Sequence, residues 1–529
     1  MVSILRIWRT ALRRVHGGWS RRALGFGAVV AMFVVAACGG GGAGSGASRV
    51  LNLAMAQGPT SLDPAQFNTA FNWYWDLAYE TPISMAPDGS LRPGLATNWG
   101  YVGDGNRVFD LTLRPDVKFS DGSPLTAQVV KANLDRNKEK GNQAASRWAD
   151  KTVDVTGPLS VRITSEKPDP SIPWSLTSTL AGGHVVSDGG LNSRDQLGTH
   201  TLGAGPYVLD AASTVANDHY TYVPNPDYWN KNDFRYERVV IKVMPNLNSV
   251  LNAMKTGEID AAPGDYTVAG AAKSARLTVT YQPSLMMGLD LLDRRGEIVP
   301  ALGDVRVRQA LNLAVNRDTI SSALFGEYGK STDQTVVVGQ PGSLPAATYQ
   351  YDPEKAKKLL ADAGYGNGLT IPTLTTSYNG QSRVVQAIAA DLQKVGVTLD
   401  LKNIDYASYS DELRSRKYGI AGIGFGTLPN MHIQGPTLYL PNAATYNPFK
   451  SADPTITATY DRAAGAATDQ QSALFQQVQR QLVDQAWFVF VTAAPKFYFA
   501  RQGITGLDVP AVRPLANATW IRPASGSGA

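Results

Sequence analysis

The chain has 529 residues, of which 43% are hydrophobic and 18% charged, and its formal net charge is +5. This composition excludes a fibrous or disordered chain, and the length implies several domains because one hydrophobic core rarely extends beyond about 300 residues. Six arginines and no acidic residue lie in residues 1–37, so the rest of the chain has 43 basic and 44 acidic residues. The positive balance therefore gives no support for nucleic-acid binding, and we expect no nucleic-acid partner.

The N-terminus has the layout of an export signal. The six arginines precede the fifteen apolar residues Ala23–Ala37, which is shorter than the roughly 20 residues that a membrane-spanning helix needs. We predict a signal peptide over residues 1–37. Ser20-Arg21-Arg22 also resembles a twin-arginine signal, so the general and the twin-arginine export routes both stay open.

Cys38 is the only cysteine of the chain, which excludes an internal disulfide. It ends the stretch Val35-Ala36-Ala37-Cys38, which resembles the bacterial lipobox, in which the cysteine is lipidated and becomes the first residue. The glycine-rich residues 39–48 would then form a flexible tether of about 15–20 Å. We predict a lipid anchor at Cys38 on the extracytoplasmic face of the cell membrane. A cleaved secretory peptide with an incidental cysteine is the alternative.

The elements beyond the tether alternate in type, which predicts an α/β fold. Period-two patterns predict strands at Val50–Ala54 and Asn106–Leu113, and Thr126 is placed to cap a helix through Leu134. Later in the chain, apolar residues at helical spacing predict further helices, and a strand is predicted through Val397, Leu399 and Leu401. The predicted helices are Asp304–Asn316, Asp352–Ala363, Arg383–Val395 and Ala473–Ala486.

Motifs of catalysis are missing from the sequence. It contains no HExxH, GxSxG or CxxC, and the histidines share no metal-ligand spacing. Phe325–Thr332 imitates a phosphate-binding loop but lacks its first glycine, so we interpret it as a helix end and a turn. Asp290 and Asp293 could serve acid–base chemistry, yet their proximity in sequence indicates no shared site. We expect no catalytic residues, metal or cofactor, which favours binding over catalysis.

Several segments, in order along the chain, resemble the family-5 extracellular solute-binding proteins of ABC transporters, the peptide- and nickel-binding group. The resemblance covers nearly the whole chain from Val50 to Val509. Each motif is of moderate specificity, but their shared order is a strong signal. The segments are LNLAMAQGPTSLDPAQ, LRPGLATNWG, FDLTLRPDVKFSDGSPLTAQVVKANLDR, GAGPYVL, NPDYW, LNAMKTGEIDA, DVRVRQALNLAVNRDTI, YDPEKAKKLLADAGY, NPFKSADPTITATYDRAA and ALFQQVQRQLVDQAWFVFV.

The resemblance implies a two-lobed fold of the type II periplasmic-binding-protein kind, with an extra inserted domain. One lobe would combine domain I (49–80, 208–284 and 496–529) with the inserted domain II (81–207), and domain III (285–495) would form the other. A small molecule or oligopeptide would be enclosed between the lobes by a hinge motion. The partners would be an ABC permease and its ATPase, and the protein would act as a monomer without chemistry of its own.

The family's cleft is lined by the loop after the first strand and by two segments of the second lobe. On this basis the predicted ligand contacts are Asn72, Trp73, Tyr74, Trp75, Tyr378, Asn379, Phe425 and Thr427. Aromatic faces with few polar groups are typical of small-molecule pockets, although aromatic residues at this density also form cores. Trp73 and Trp75 would share one face if their segment were a strand, with Tyr74 pointing away.

The same resemblance bears on the charge of the ligand. Members that hold free peptides pair the ligand's α-amine with an aspartate three residues after a tryptophan. Here Phe425 takes the aromatic place and Leu428 the acidic one, and residues 413–452 contain no Asp or Glu. The arginine expected before Tyr378 is also missing, since Thr376 stands there. Because an unpaired buried ammonium costs several kcal/mol, we expect a neutral or hydroxyl-rich ligand, or a longer or blocked peptide.

Two other functions stay open at this point. A sensor or scaffold lipoprotein could use the same fold, and no sequence feature separates it from a transport protein. A cell-surface enzyme would need a catalytic cluster, and the sequence reveals none.

Overall fold

The computed structural model describes residues 50–231, 234–443 and 445–524. The predicted signal peptide, Cys38, the tether and residues 525–529 lie outside the described residues. Within the described ranges, no helix is both long enough and apolar enough to cross a membrane.

Most strands of the described ranges belong to one mixed sheet of eleven strands. Its order is β15-β14-β16-β12-β17-β11-β1-β10-β9-β8, with β13 also paired to β17, and a separate sheet has the order β4-β5-β7-β6. The strands are β1 (Val50–Met55), β2 (Ile83–Met85), β3 (Leu91–Pro93), β4 (Ala96–Tyr101), β5 (Val108–Leu113), β6 (Lys151–Gly157), β7 (Ser160–Ser165), β8 (Tyr207–Leu209), β9 (His219–Pro224), β10 (Arg238–Val243), β11 (Ala261–Gly264), β12 (Thr278–Asp290), β13 (Lys330–Ser331), β14 (Leu369–Thr376), β15 (Val397–Ile404), β16 (Ile420–Gly426), β17 (Phe488–Ala500), β18 (Ile504–Thr505) and β19 (Arg522–Pro523).

The helices vary from single turns to the long C-terminal helix α15. They are α1 (Trp73–Asp76), α2 (Ala127–Arg136), α3 (Ala145–Trp148), α4 (Ile172–Ser175), α5 (Asp188–Asn192), α6 (Leu247–Thr256), α7 (Tyr266–Ser274), α8 (Val305–Leu313), α9 (Arg317–Phe325), α10 (Pro353–Asp362), α11 (Gln381–Gln393), α12 (Tyr406–Arg414), α13 (Met431–Gln434), α14 (Pro454–Gly465) and α15 (Thr468–Asp484).

Local capping explains where the predicted helices begin. The side chains of Thr126, Asp304 and Asp352 each accept a hydrogen bond from a backbone N–H in the first turn of α2, α8 and α10. Such caps satisfy amides that have no partner inside the helix. The predicted cap at Thr126 and the predicted helix starts at Asp304 and Asp352 are confirmed, and the helix end predicted for Phe325–Thr332 is confirmed by the end of α9 at Phe325.

The predicted strand through Val397, Leu399 and Leu401 is confirmed as β15, and two details of local structure could not be taken from the sequence pattern. The segment of Trp73 and Trp75 is the short helix α1 rather than a strand, so the two side chains do not share a face. Leu401 belongs to the predicted strand β15 but is exposed, because this strand is at the edge of the large sheet and its outer residues reach solvent.

The hydrophobic cores are divided along the chain. One cluster, which includes Trp148 and Tyr222, draws only on residues up to position 261 and on residues from Tyr498 onward. Two clusters around Leu289 and Phe490 take their buried members from positions 286 to 494. The long strands β12 and β17 are paired with each other and run from one set of clusters to the other.

The pairing of β12 with β17 is irregular at the point where the strands pass between the cores. Pro283 lies opposite Pro495, and the register shifts between Pro283 and Leu285. Proline has no N–H to donate to a ladder, so two facing prolines weaken the pairing locally. The strands are therefore least tightly joined where they pass between the two sets of cores.

Candidate ligand-binding site

The predicted contacts of the first lobe lie in and just before α1 and are buried. The Asn72 side chain donates to the Asp76 carboxylate at 2.6 Å and to the carbonyl of Ala516 at 2.8 Å. The indole N–H of Trp73 donates to the same carbonyl at 2.9 Å, and the Tyr74 hydroxyl to the carbonyl of Gln57 at 3.0 Å. These polar atoms therefore already bind protein groups.

The aromatic side chains of α1 point in different directions because successive residues of a helix are about 100° apart. Trp73 stacks on Tyr498 of β17 with ring centroids 6.0 Å apart. Trp75 meets Phe67 edge to face at 5.3 Å, and Tyr74 meets Tyr220 at 4.9 Å. Among these three, Trp73 is the one in contact with Tyr498 of β17.

The predicted contacts of the second lobe lie at or just after the carboxyl ends of two adjacent parallel strands, β14 and β16. Phe425 and Thr427 are buried there, and the Thr427 hydroxyl has no hydrogen-bond partner among the described residues. Tyr378 and Asn379 are exposed. Tyr378 stacks on the exposed Tyr406 at 4.0 Å between centroids. The structure thus buries one predicted pair and leaves the other in solvent.

Several contacts join the ranges predicted for the two lobes. The Asn106 side chain donates to the carbonyls of Ala464 and Ala466 at 2.8 Å each. His432 Nε2 lies 3.3 Å from a carboxylate oxygen of Asp169. The Gln340 side chain donates to the carbonyl of Ala511. The two ranges are therefore in contact, as in a closed arrangement.

Arg513 makes a further contact of this kind. Its Nη1 donates to the carbonyl of Thr427. The C-terminal segment that carries Arg513 also contacts α1 and β17, because Ala516 accepts from Trp73 and its N–H donates to the Tyr498 hydroxyl at 3.1 Å. The predicted residues Trp73 and Thr427 are thereby joined through one short segment.

Three basic side chains of the first lobe's ranges were not predicted from the sequence, and Arg513 is the one seen to contact the second lobe. They are Arg147, Lys496 and Arg513, here called the interface cations. Burial lowers the pKa of all three. For Arg513, burial and then the repulsion of the Arg147 guanidinium lower the pKa to about 10. The Lys496 ammonium lies 5.7 Å from the centroid of the Tyr498 ring. Desolvation therefore disfavours the charged form of all three side chains.

One of the three left a signal in the sequence. Lys496 is the single charged residue between Asp484 and Arg501, in the otherwise apolar strand β17. A lysine amid such residues indicates either an edge position or a function. Arg147 and Arg513 follow no comparable pattern.

The two aspartates singled out in the sequence lie within the range of the second lobe and are bound to protein groups there. Asp293, one of the two aspartates singled out in the sequence, accepts hydrogen bonds from the backbone N–H groups of residues 297–299. The other, Asp290, is ion-paired with Arg294. In the described ranges, no group of three or more His, Cys, Asp or Glu side chains is placed to hold a metal ion.

An α/β structure with two sets of cores joined by long crossing strands, and an interface between them, defines a two-lobed binding protein of the periplasmic type. Solved structures of this class match it closely. The binding protein AgaA from A. tumefacien R10 in complex with agropinic acid gives a TM-score of 0.74 at 21% identity, covering 90% of this chain and 99% of that chain. The ABC transporter-associated periplasmic binding protein DppA from Helicobacter pylori in complex with the peptide STSA gives 0.72 at 19% identity, covering 90% and 98%.

The sequence match names the family. Residues 90–447 match the family described as bacterial extracellular solute-binding proteins, family 5 Middle, and the chain belongs to it. The glutathione-binding protein GsiB of Salmonella paratyphi A is 27% identical over 390 residues, which is 71% of this chain and 74% of that protein. The predicted family and the two-lobed fold are confirmed.

Proposed function

We propose that this chain is the solute-binding lipoprotein of an ABC importer, held at the extracytoplasmic face of the membrane by a lipid on Cys38. It binds a peptide or another small polar solute between its lobes and delivers it to a permease driven by an ATPase. The observation that carries this proposal is the set of contacts between the ranges of the two lobes, which includes the hydrogen bonds from Arg513 to Thr427 and from Asn106 to Ala464 and Ala466.

The ligands named for the similar proteins, glutathione, agropinic acid and the peptide STSA, support a small polar solute without fixing which one. The contacts between the lobes support closure, because contacts that exist only in the closed form are stabilised when a ligand binds both sides. The protein acts as a monomer and performs no chemistry on the solute.

The division of the cores supports the predicted domains. Domain I (49–80, 208–284 and 496–529) and domain II (81–207) would share one lobe, and domain III (285–495) would be the other. The facing prolines Pro283 and Pro495 lie at these boundaries. We place the hinge there, since a ladder that lacks donors bends with the least loss of hydrogen bonds.

Closure is tested by small-angle scattering of the purified chain from Ser48 onward. The small-molecule fraction of a cell extract should reduce the radius of gyration and raise the Tm, because a ligand that binds the native state alone stabilises it. Mass spectrometry of the solute released on denaturation then identifies the ligand. A radius that does not change with any fraction, together with turnover of a supplied peptide, would contradict a binding function.

The proposed lipid anchor at Cys38 is tested separately. Cys38→Ala should leave the precursor unprocessed or release the protein into the medium, because the variant has no thiol to lipidate. Cell fractionation measures this, and Ser48→Ala in the tether is the matched control. A cleaved Cys38→Ala protein that stays in the membrane fraction would remove the lipoprotein proposal.

A further inference from the structure

We propose that the contact between domain II and the helices α13 and α14 of domain III is a latch, which holds the lobes closed in neutral solution and opens when His432 is protonated. The latch consists of Asn106 and Asp169 on the side of domain II, and of His432 and the C-terminal end of α14 on the side of domain III. This inference rests on the proposed function and adds to it a control of the hinge motion by pH.

Asn106 is the centre of the contact on the side of domain II. Its side chain donates to the carbonyls of Ala464 and Ala466 at the C-terminal end of α14, where helix carbonyls have no partner inside the helix. Its own carbonyl accepts from the N–H of Asp169 at 2.9 Å. The backbone of Asn106 is left-handed, with a φ of 53°, which asparagine adopts more readily than most residues. Asn106 therefore caps a helix of the other lobe and also positions the residue that faces His432.

His432 is fixed on the side of domain III by α14. Its carbonyl accepts from the Tyr460 hydroxyl at 2.8 Å, and its ring stacks on the Tyr460 ring with centroids 5.2 Å apart. Nε2 faces domain II and lies 3.3 Å from Asp169 Oδ1, whereas Nδ1 is buried and has no hydrogen-bond partner in the described ranges. The contact between the lobes thus uses one of the two ring nitrogens.

The carboxylate of Asp169 has partners of its own within domain II. Its Oδ2 lies 2.8 Å from the buried Lys151 ammonium, and its Oδ1 accepts from the N–H and the hydroxyl of Ser171 at 2.8 and 2.5 Å. Lys151 therefore compensates the charge of Asp169 while His432 is neutral. A protonated His432 would be a second cation at the same carboxylate, and the Lys151 ammonium would repel it.

Protonation of His432 is unfavourable while the lobes are closed. An imidazolium has two N–H donors, and the one on Nδ1 would be buried without an acceptor. The charged and titratable groups around the ring are Asp169, Asp150 and Lys151 of domain II and Tyr460 and Asp461 of α14. Burial, with the charge of Lys151 acting in the same direction, lowers the pKa of His432 in spite of the three acids.

The open form binds the proton more readily, because separation of the lobes lets water solvate both nitrogens. A solvated imidazole has a pKa of about 6.5, so acidification below this value favours the open form. Linkage through one proton increases the ratio of open to closed molecules by up to about tenfold between pH 7.5 and pH 5.5. An acidic environment would therefore release the solute.

The test measures the separation of the lobes directly. The chain from Ser48 onward contains no cysteine, so Asn98→Cys in domain II and Gln470→Cys in domain III, both at exposed positions, accept a pair of spin labels. We expect double electron–electron resonance to give mainly the shorter distance at pH 7.5 and an increased share of a longer distance at pH 5.5, without added solute. A chain that is mainly open at pH 7.5, or equally closed at both pH values, would overturn the latch.

Variants in the labelled chain separate titration from packing. His432→Gln keeps an N–H donor for Asp169 but has no proton to gain, so it should stay closed at both pH values. His200→Gln, at an exposed position, is the matched control and should retain the wild-type shift. A His432→Gln chain that opens in acid, or that is open at both pH values, would contradict the proposal.

Asn106→Gly provides a second variant that removes no titratable group. Glycine accepts the left-handed backbone, but the side-chain hydrogen bonds to α14 are lost, so this chain should be more open than the wild type at pH 7.5 and should open further in acid. An Asn106→Gly chain as closed as the wild type would overturn the latch.

The small-molecule fraction of a cell extract distinguishes failure of the latch from failure of the function. If this fraction closes the labelled chain equally at both pH values, the latch is overturned and the binding function stands. A distance that neither pH nor any fraction changes would instead contradict the hinge motion itself.

Discussion

Two groups of buried cations in this protein differ in how their charge is compensated. Arg317, deep in the second lobe, donates from Nε to the carbonyl of Phe490 and from its two Nη atoms to the backbone and side chain of Asn312. Arg513 at the interface has a single acceptor. Burial lowers the pKa of each guanidinium to about 10, and for Arg513 the repulsion of Arg147 contributes. The two side chains differ in the number of their hydrogen-bond partners.

Arg294, like Arg317, is a buried cation whose charge is compensated by protein groups, although its Nε, like that of Arg513, has no hydrogen-bond partner in the described ranges. Its guanidinium is ion-paired with Asp290 and lies 4.4 Å from the Trp487 ring centroid. The buried cations Arg317 and Arg294 thus have protein hydrogen-bond acceptors or an acidic partner. Arg513 has one protein acceptor, and its Nε has no partner in the described ranges.

The largest effect is expected from removing the acid of a compensated pair. Asp290→Ala leaves Arg294 buried without its counter-ion, which we expect to lower the free energy of unfolding by about 3–5 kcal/mol. Calorimetry of the ligand-free protein measures this. Asp411→Ala, which removes the partner of the exposed Arg414, should cost at most about 1 kcal/mol. Similar losses in the two variants would break the distinction between buried and exposed pairs.

The next largest effect is expected for Arg317→Met, which we compare with Arg513→Met by the change in the free energy of unfolding. The first removes three hydrogen bonds and leaves buried carbonyls without donors, a loss of roughly 2–5 kcal/mol. The second removes one hydrogen bond and relieves the repulsion by Arg147, so the ligand-free protein should change by about 1 kcal/mol or less. Urea denaturation of both variants checks this. A larger loss in Arg513→Met would assign Arg513 a structural role.

A smaller, pH-dependent effect is expected at His432, which faces Asp169 across the lobes. Burial lowers the pKa of His432 below its ordinary value of 6.5. The unfolded chain therefore binds the proton more readily, and stability is lost as the pH falls below about 6.5. The lowered pKa of Asp169, which the charges of His432 and Lys151 hold down against burial, adds a loss only in more acidic solution.

The corresponding measurement is the Tm at pH 7 and pH 5 for the wild type and His432→Gln. The variant should show the smaller difference, since it has no imidazole to protonate. His200→Gln, at an exposed position, is the control. An unchanged pH difference in His432→Gln would show that other groups dominate the acid sensitivity.

The smallest effect on stability is expected at Tyr378, whose side chain is 47% exposed. Tyr378→Ala removes the stacking on Tyr406 and should cost about 0.5 kcal/mol or less, as for most surface substitutions. The affinity of the Tyr378→Ala variant for the solute released on denaturation tests the separate prediction that Tyr378 contacts the ligand. An unchanged affinity would remove Tyr378 from the predicted site.

The sequence by itself determined the family and much of the local structure. Caps at Thr126, Asp304 and Asp352 act within four residues, so the information that starts those helices is contained in the local sequence. The motifs of the family are likewise turns and packing helices read in order along the chain. The helix at Trp73–Asp76 was missed because four residues are too few to establish a helical period.

Only the tertiary structure decided which charges lack partners. Arg147 and Arg513 are separated by most of the chain, and the fold brings them close enough for the charge of one to lower the pKa of the other. Arg317 lies between Asn316 and Asp318 and Arg513 between Val512 and Pro514, and neither pair of neighbours supplies the acceptors that the side chain uses. Compensation of a buried charge depends on which acceptors the fold places around it, and that arrangement is a property of the whole molecule.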